Sequence, residues 1–215
     1  MTKQKTSKDP QKEARIMQAA LHTFAESGYR DAKTDLIAEK AQVSKGLIFH
    51  YYGSKQALYV LTVQTATQTI MDNIDPRAYE APSDLVALIV RGTKYKSEFG
   101  RTHPDEMRLL INAYGEVDQL PAKVQTQIKE LYTQSITVTR HLIQDVLTQM
   151  KLRPELNQDD VVDLIVGVYN QIFAEFQVHM AKNHDVKSMD DVQWIVERAK
   201  TYMGILEYGF TEPKQ

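Results

Sequence analysis

Thr34 to Lys55, TDLIAEKAQVSKGLIFHYYGSK, contains two short helices, the break between them and the start of a third, and its reading decides the fold. Thr34 suits an N-cap and Asp35 follows in the first turn, so a helix to about Ala41 opens with capped amides and a carboxylate that complements its dipole. Ser44 suits the cap of the next helix. Ile37, Ala41, Val43, Ile48 and Tyr51 fall where two steeply crossing helices bury apolar groups, and Ala38 is small enough to permit close approach. The spacing predicts a helix-turn-helix that leaves Lys45, Gly46, Leu47, Phe49 and His50 exposed.

Charge placement on the second helix points to an anionic ligand. Lys45 sits in the first turn, where a cation opposes the helix dipole at a cost of about 0.3–1 kcal/mol. Gly46 weakens the helix by about 0.5–1 kcal/mol relative to Ala, and close approach of another molecule is the usual compensation. A phosphate at this helix start answers both oddities. Ser54 and Lys55 repeat the arrangement at the next helix. Three solvated helix starts are the plainer alternative for each feature taken singly. Their coincidence within one helix-turn-helix favours DNA, with Thr34, Ser44, Lys45, Gly46, Leu47, Phe49, His50 and Lys55 as the candidate contacts.

These residues resemble the DNA-binding domain of the TetR family of bacterial regulators. Val43-Ser44-Lys45-Gly46 and His50-Tyr51-Tyr52-Gly53-Ser54-Lys55 carry the resemblance, with Thr34 to Ala41 and Phe24-Ala25-Glu26-Ser27-Gly28-Tyr29 before them. It covers about Gln11 to Leu58; beyond that only length, helical content and order match. Three positions depart from the family pattern. Gln42 occupies a turn position where Gly is common, so a left-handed backbone there costs about 1–2 kcal/mol. Phe49 stands where Tyr is frequent and lacks its hydroxyl. Leu47 replaces a small polar residue and offers a thymine methyl contact without a hydrogen bond.

Bulk properties bound the remaining classes. The 215 residues are 42% hydrophobic and 25% charged, enough for a substantial core in one or two domains. No cysteine is present, which removes disulfides, thiol catalysis and thiolate metal sites. No secretory signal is apparent and no segment is expected to reach membrane-spanning length, so a cytoplasmic location is the default. The net charge of −2 is unevenly spread: residues 1–56 hold ten Lys or Arg against six Asp or Glu, a balance of +4, which leaves −6 on the remainder. A basic end on an acidic body suggests an anionic partner for that end. Met1 to Lys8 lack apolar periodicity and are expected to be disordered, with a minor-groove arm as an alternative use.

The pattern predicts an all-α chain. A first helix runs from Asp9 or Pro10 to Ser27, stopped by Gly28, with Ile16, Ala19, Ala20, Leu21 and Phe24 in one apolar stripe. A fourth runs from Lys55 to about Ile74. After a break around Asp75-Pro76 and Ala81-Pro82, further helices are expected at Ser83 to Arg101, Pro104 to Glu116, Pro121 to Lys151, Gln158 to Lys182 and Ser188 to about Phe210. The division is a three-helix DNA-binding domain at 1–54 and a C-terminal helical bundle at 55–215 for effector binding and dimerisation.

The last two helices carry too much apolar surface for one face, which predicts a two-fold four-helix interface between two copies. Its expected residues are Val161, Ile165, Val168, Ile172 and Phe176 on one helix and Ile195, Ala199, Tyr202 and Leu206 on the other. A monomer core that absorbs both faces is the alternative. An effector cavity is implied by the resemblance, which transfers no individual residue. The middle helices offer Tyr95, Phe99, Tyr114, Tyr132 and Phe173 as aromatic lining, with His103, Arg140, His141 and Asn170 to orient a ligand. For each aromatic, ordinary packing is the alternative.

Enzymatic signatures are missing from the sequence: no phosphate loop, no Gly-x-Ser-x-Gly, no paired di-iron motif, and histidines at 22, 50, 103, 141, 179 and 184 without metal-ligand spacing. The expectation is a non-enzyme without cofactor, catalytic residue or metal. It would repress transcription by binding palindromic operator DNA as a homodimer, and a small-molecule effector would release it. Alternatives are a DNA-binding regulator or architectural protein governed by a protein partner, and a helical-bundle enzyme or interaction module.

Overall fold

The structure is a computed structural model that describes residues 9–73, 83–183 and 186–209. The expected tail Met1 to Lys8, the Asp75-Pro76 and Ala81-Pro82 break, His184 and the end at Phe210 lie outside those residues. Among the described residues every regular element is helical.

Helix α1 spans Pro10–Asp31. Asp9 caps it by accepting from the Gln11 and Lys12 amides, and proline at the start supplies a helical φ without losing a donor. Gly28, at φ 64 and ψ −177, interrupts the helix where the sequence places its stop. Helices α2 (Thr34–Lys40) and α3 (Lys45–Tyr52) form the helix-turn-helix, and α4 (Lys55–Asp72) follows it. The start of α2 differs from the expected one. Lys33 occupies the N-cap of α2 and no side chain caps that end, so Thr34 is the first helical residue rather than the cap. The turn adopts the strained form anticipated for it: Gln42 has φ 55 and is the one non-glycine with positive φ among the described residues.

The C-terminal segment contains α5 (Leu85–Thr102), α6 (Pro104–Gly115), a 3-10 turn at Val117–Gln119, α7 (Ala122–Gln149), α8 (Gln158–Met180), a second 3-10 turn at Met189–Val192 and α9 (Gln193–Tyr208). Side chains cap three of these starts. Asp84 accepts from the Ala87 amide, Asn157 from the Asp159 amide, and Ser188 with Asp191 forms a capping box. At the His103-Pro104 break the His103 ring stacks on Phe99 at 4.3 Å and 3° between planes. Gly115 lets α6 meet α8 closely, since a Cβ there would lie 2.5 Å from Met180 Cγ.

Three apolar clusters hold these helices. The first joins Ile16, Ala20 and Phe24 of α1, Ile37 of α2, Ile48 of α3, and Leu58 and Tyr59 of α4 to Leu109, Leu110 and Ala113 of α6. It therefore runs across the expected division at 54/55. Polar links cross the same seam as well, among them His22 Nδ1 at 2.9 Å from Asp105 Oδ2 and Asn112 Nδ2, which donates to the Ala25 carbonyl at 3.2 Å. The second cluster packs α5, α7, α8 and α9 through Leu88, Ile143, Val162, Ile165, Val196 and Met203. A third, with Phe99, Met107, Ile111 and Met180, connects α5 and α6 to the end of α8.

Because Gln42 holds a left-handed backbone against the steric preference of a side chain, Gln42→Gly should stabilise the protein. The expected gain is about 0.5–1 kcal/mol after the entropy cost of glycine, read from denaturant unfolding. An unchanged or lower stability would mean that the turn is not strained.

Candidate nucleic-acid interface

The helix-turn-helix is fixed by a few specific bonds. Ser44 Oγ accepts from the Leu47 amide at 3.2 Å and Ser54 Oγ from the Ala57 amide at 3.1 Å, so α3 and α4 have the expected caps. Arg15 Nε donates to the Ala41 carbonyl at 3.0 Å, and the Val43 amide donates to the Ala38 carbonyl, tying the turn to α1 and α2. Tyr51 anchors the inner side of α3, its hydroxyl accepting from the Asp9 amide at 3.0 Å. Beneath the unit, Tyr59 takes edge contacts from Phe24 and Tyr29, each with ring centroids 5.0 Å apart.

Outward, Lys45, Gly46, Phe49 and His50 are exposed on α3, Leu47 is half-buried, and Leu36 is exposed beside them on α2. A Cβ on Gly46 would meet only Ser44 Oγ, at 3.9 Å, so nothing inside the protein requires glycine there. Both lysines are engaged in ways the sequence did not indicate. Lys45 Nζ pairs with Asp35 Oδ2 at 2.9 Å across the turn. Lys55 Nζ donates to the Arg30 carbonyl at 3.1 Å and lies 4.8 Å from the Tyr29 ring centroid. Burial lowers the Lys55 pKa, opposed by the nearby Asp31 carboxylate. Lys55 thus ties the start of α4 to the end of α1. Asp35 and Arg15 are the residues that sequence reasoning missed, because both act through partners distant in sequence.

The effector candidates separate into groups. Tyr114 on α6, Tyr132 on α7 and Phe173 on α8 come together: Tyr132 stacks on Phe173 at 3.8 Å, and Tyr114 lies 6.2 and 6.4 Å from the two rings. Asn170 joins them, its Oδ1 accepting from the Tyr132 hydroxyl at 3.4 Å. Burial raises the pKa of the Tyr114 hydroxyl and pushes that of Tyr132 up to about 12, so both stay protonated donors. Tyr95, Phe99 and His103 form a second group toward the end of α4, where the Tyr95 hydroxyl donates to the Ile70 carbonyl at 2.7 Å. Arg140 is ion-paired with Asp163 and His141 is exposed, so neither joins the aromatic rings through a described contact.

Of the nine expected dimer residues, three are buried within the chain and six are half-buried. Ile165, Ile172 and Ala199 are buried in the second cluster, and Val161, Val168, Phe176, Ile195 and Leu206 are half-buried against the second and third. Tyr202 donates to Glu175 at 2.8 Å, joining α9 to α8 within one chain. The apolar surface left outside instead runs along α8 through Leu164 (58% exposed), Gly167, Ala174 and Val178 (58% exposed), with Ile205 and Tyr208 exposed on α9. A groove of about 430 Å³ lies between α8 and α9, lined by Ala174, Val178, His179, Trp194 and Arg198 among others. By length and composition alone Gln158–Met180 could cross a membrane, its most apolar stretch having mean hydropathy 1.2, although Asp163 and Glu175 interrupt its apolar run. Only 22% of its most apolar stretch is buried. Its unburied apolar residues are those of this outer stripe.

Comparison with known proteins agrees with this geometry. The model of the family described as "Bacterial regulatory proteins, tetR family" matches residues 16–61, the span of the helix-turn-helix and its bracing helices. The HTH-type transcriptional repressor SCO4008 of Streptomyces coelicolor is 32% identical over 140 residues, 62% of this chain and 66% of that protein. The HTH-type transcriptional regulator RutR of Escherichia coli is 31% identical over 98 residues, 46% of this chain and 45% of that protein. The chain thus spans less than two thirds of the length of either relative. Along the whole chain the fold resembles the transcriptional regulator FadR of Bacillus subtilis, solved with stearoyl-CoA (TM-score 0.63, 17% identity, 93% of this chain and 100% of that one). It also resembles the MbdR regulator of Azoarcus sp. CIB (TM-score 0.56, 20% identity, 94% and 100%). Residues 16–61 thus carry the DNA-binding segment of the TetR family of bacterial regulatory proteins, and the helices around it share the fold of these solved regulators.

Proposed function

We propose that the protein is a cytoplasmic transcriptional regulator, acting as a repressor, that binds palindromic operator DNA as a homodimer and is released by a small-molecule effector. The observation that carries this reading is the outer face of α3. On a helix capped by Ser44, the exposed Gly46, Phe49 and His50 sit where the protein itself needs no glycine and buries no ring. A recognition helix set in the major groove uses such a face, with backbone amides and Lys45 toward phosphate and Leu47 toward a thymine methyl. Thr34 and Ser44 flank it at the starts of the two helices. Residues 1–54 serve DNA and residues 55–215 serve the effector and the second copy, a division of labour across one shared core.

The effector reading rests on the Tyr114, Tyr132 and Phe173 rings, which supply apolar surface, and on Asn170, which supplies a polar contact. One fold neighbour holds stearoyl-CoA, which makes a long acyl ligand a reasonable first probe. The dimer reading rests on the stripe from Leu164 to Val178: two such stripes from two copies would bury what one chain leaves in water, with Gly167 and Ala174 allowing close helix approach.

Three measurements test this. Titration of a random-sequence duplex at several salt concentrations should give a log–log slope of about −0.9 per phosphate contact; no binding at low salt would refute the DNA assignment. Gly46→Ala should raise helix stability by about 0.5 kcal/mol yet weaken DNA binding by about 1–3 kcal/mol through steric crowding, whereas unchanged binding would place α3 away from DNA. Val178→Glu should give a folded monomer by sedimentation, with the emission of Trp194, the only tryptophan, shifted to the red. A stable dimer with unchanged emission would move the interface elsewhere.

A further inference from the structure

We propose that Asp35 is a built-in counter-ion of the recognition helix, holding Lys45 against release to DNA and thereby setting how tightly the protein binds duplexes of any sequence. This rests on the DNA-binding reading of α3. Lys45 is the only Lys or Arg in α3, and it opens the helix, where the dipole disfavours a cation. Its amine lies 2.9 Å from Asp35 Oδ2, and the two side chains are 48% and 70% exposed. The pair therefore sits on the same outer surface as Gly46, Phe49 and His50 rather than in the core. Asp35 is the one acidic residue in the first turn of α2, an end that no side chain caps.

The nearest alternative cation at a helix start is turned away: the Lys55 amine is held by the Arg30 carbonyl and the Tyr29 ring. Within α3 the charge offered to phosphate is thus the charge of Lys45 less that of its partner. An exposed pair of this kind contributes little to folding, so its consequence falls on binding. When a duplex approaches, either the pair opens and the carboxylate is left beside phosphate, or Lys45 stays paired and one phosphate goes unneutralised. Both outcomes weaken the sequence-independent part of the affinity, which comes from neutralising phosphates. Base contacts from Leu47 and its neighbours are untouched, so the pair lowers background binding more than it lowers discrimination.

The test uses the full chain and its Asp35→Asn, Asp35→Glu, Lys45→Ala and Asp35→Asn/Lys45→Ala variants. Each is titrated with a random-sequence 40-base-pair duplex at several salt concentrations, after melting curves confirm that the fold is kept. Asp35→Asn should bind about threefold to tenfold tighter at low salt, with a salt slope steeper by up to about 0.9 per protomer. Asp35→Glu, whose longer arm still reaches the amine, should behave as the parent. In the Lys45→Ala background, where there is no amine to hold, the gain from Asp35→Asn should be smaller than in the parent. Equal affinity and slope for Asp35→Asn and the parent would overturn the proposal. So would an equal gain in the Lys45→Ala background, which would make Asp35 a repelling charge with no hold on Lys45. If the parent itself binds no duplex at low salt, the DNA assignment fails and the counter-ion role falls with it.

Discussion

The structure depends on α1 packing against two partners at once. Ile16, Ala20 and Phe24 are fully buried in a cluster that reaches Ile37 and Ile48 of the helix-turn-helix on one side and Leu109 and Ala113 of α6 on the other. A three-helix unit of this size buries too little apolar surface to be more than marginally stable alone. Burial of each large side chain contributes about 1.5–3 kcal/mol, and here α4 and α6 supply the surface that makes it possible. Tyr59 of α4, fully buried between Phe24 and Tyr29, is the clearest case. The helix that positions α2 and α3 is thus itself positioned by the C-terminal segment.

That arrangement gives the proposed regulation a physical route. A ligand among Tyr114, Tyr132 and Phe173 would touch α6, α7 and α8. Helix α6 also carries Asp105 and Asn112, which hold α1 through His22 and the Ala25 carbonyl. A second connection passes from α5 to α4 through the Tyr95 hydroxyl and the Ile70 carbonyl. In a dimer whose half-sites lie about 34–36 Å apart on one face of the duplex, a small rotation of α1 and α4 in each copy would misalign the two recognition helices. A ligand that favours the rotated state would shift the equilibrium away from DNA.

What the sequence made legible were features encoded locally. The caps at Ser44 and Ser54, the interruption at Gly28, the break at His103-Pro104 and the strained Gln42 each depend on residues within a few positions of one another. Thr34 failed as a cap because the choice between Lys33 and Thr34 turns on backbone angles that neighbouring residues do not fix. The partners of Lys45 and Lys55 were invisible for another reason: Asp35 is ten residues away and Arg30 twenty-five, and only the fold brings them together. Helix α8 defeated periodicity because it is apolar on nearly every side. Ile165 and Ile172 face inward while Leu164 and Val178 face out, and a hydrophobic pattern that fills both faces cannot tell them apart. Of the aromatic residues, Tyr114, Tyr132 and Phe173 meet because their helices are neighbours, whereas Tyr95 and Phe99 lie with His103 in a separate group.

Native-state hydrogen exchange across α1, α4 and α6 addresses the central claim most directly, because a shared core predicts shared opening. The account predicts that the most protected amides of these three helices exchange with one common free energy and respond together to denaturant. Exchange of α1, α2 and α3 at a distinctly lower free energy, with α6 still protected, would show two separately folding units. It would then contradict a structure in which α1 is held jointly by the helix-turn-helix and by α6.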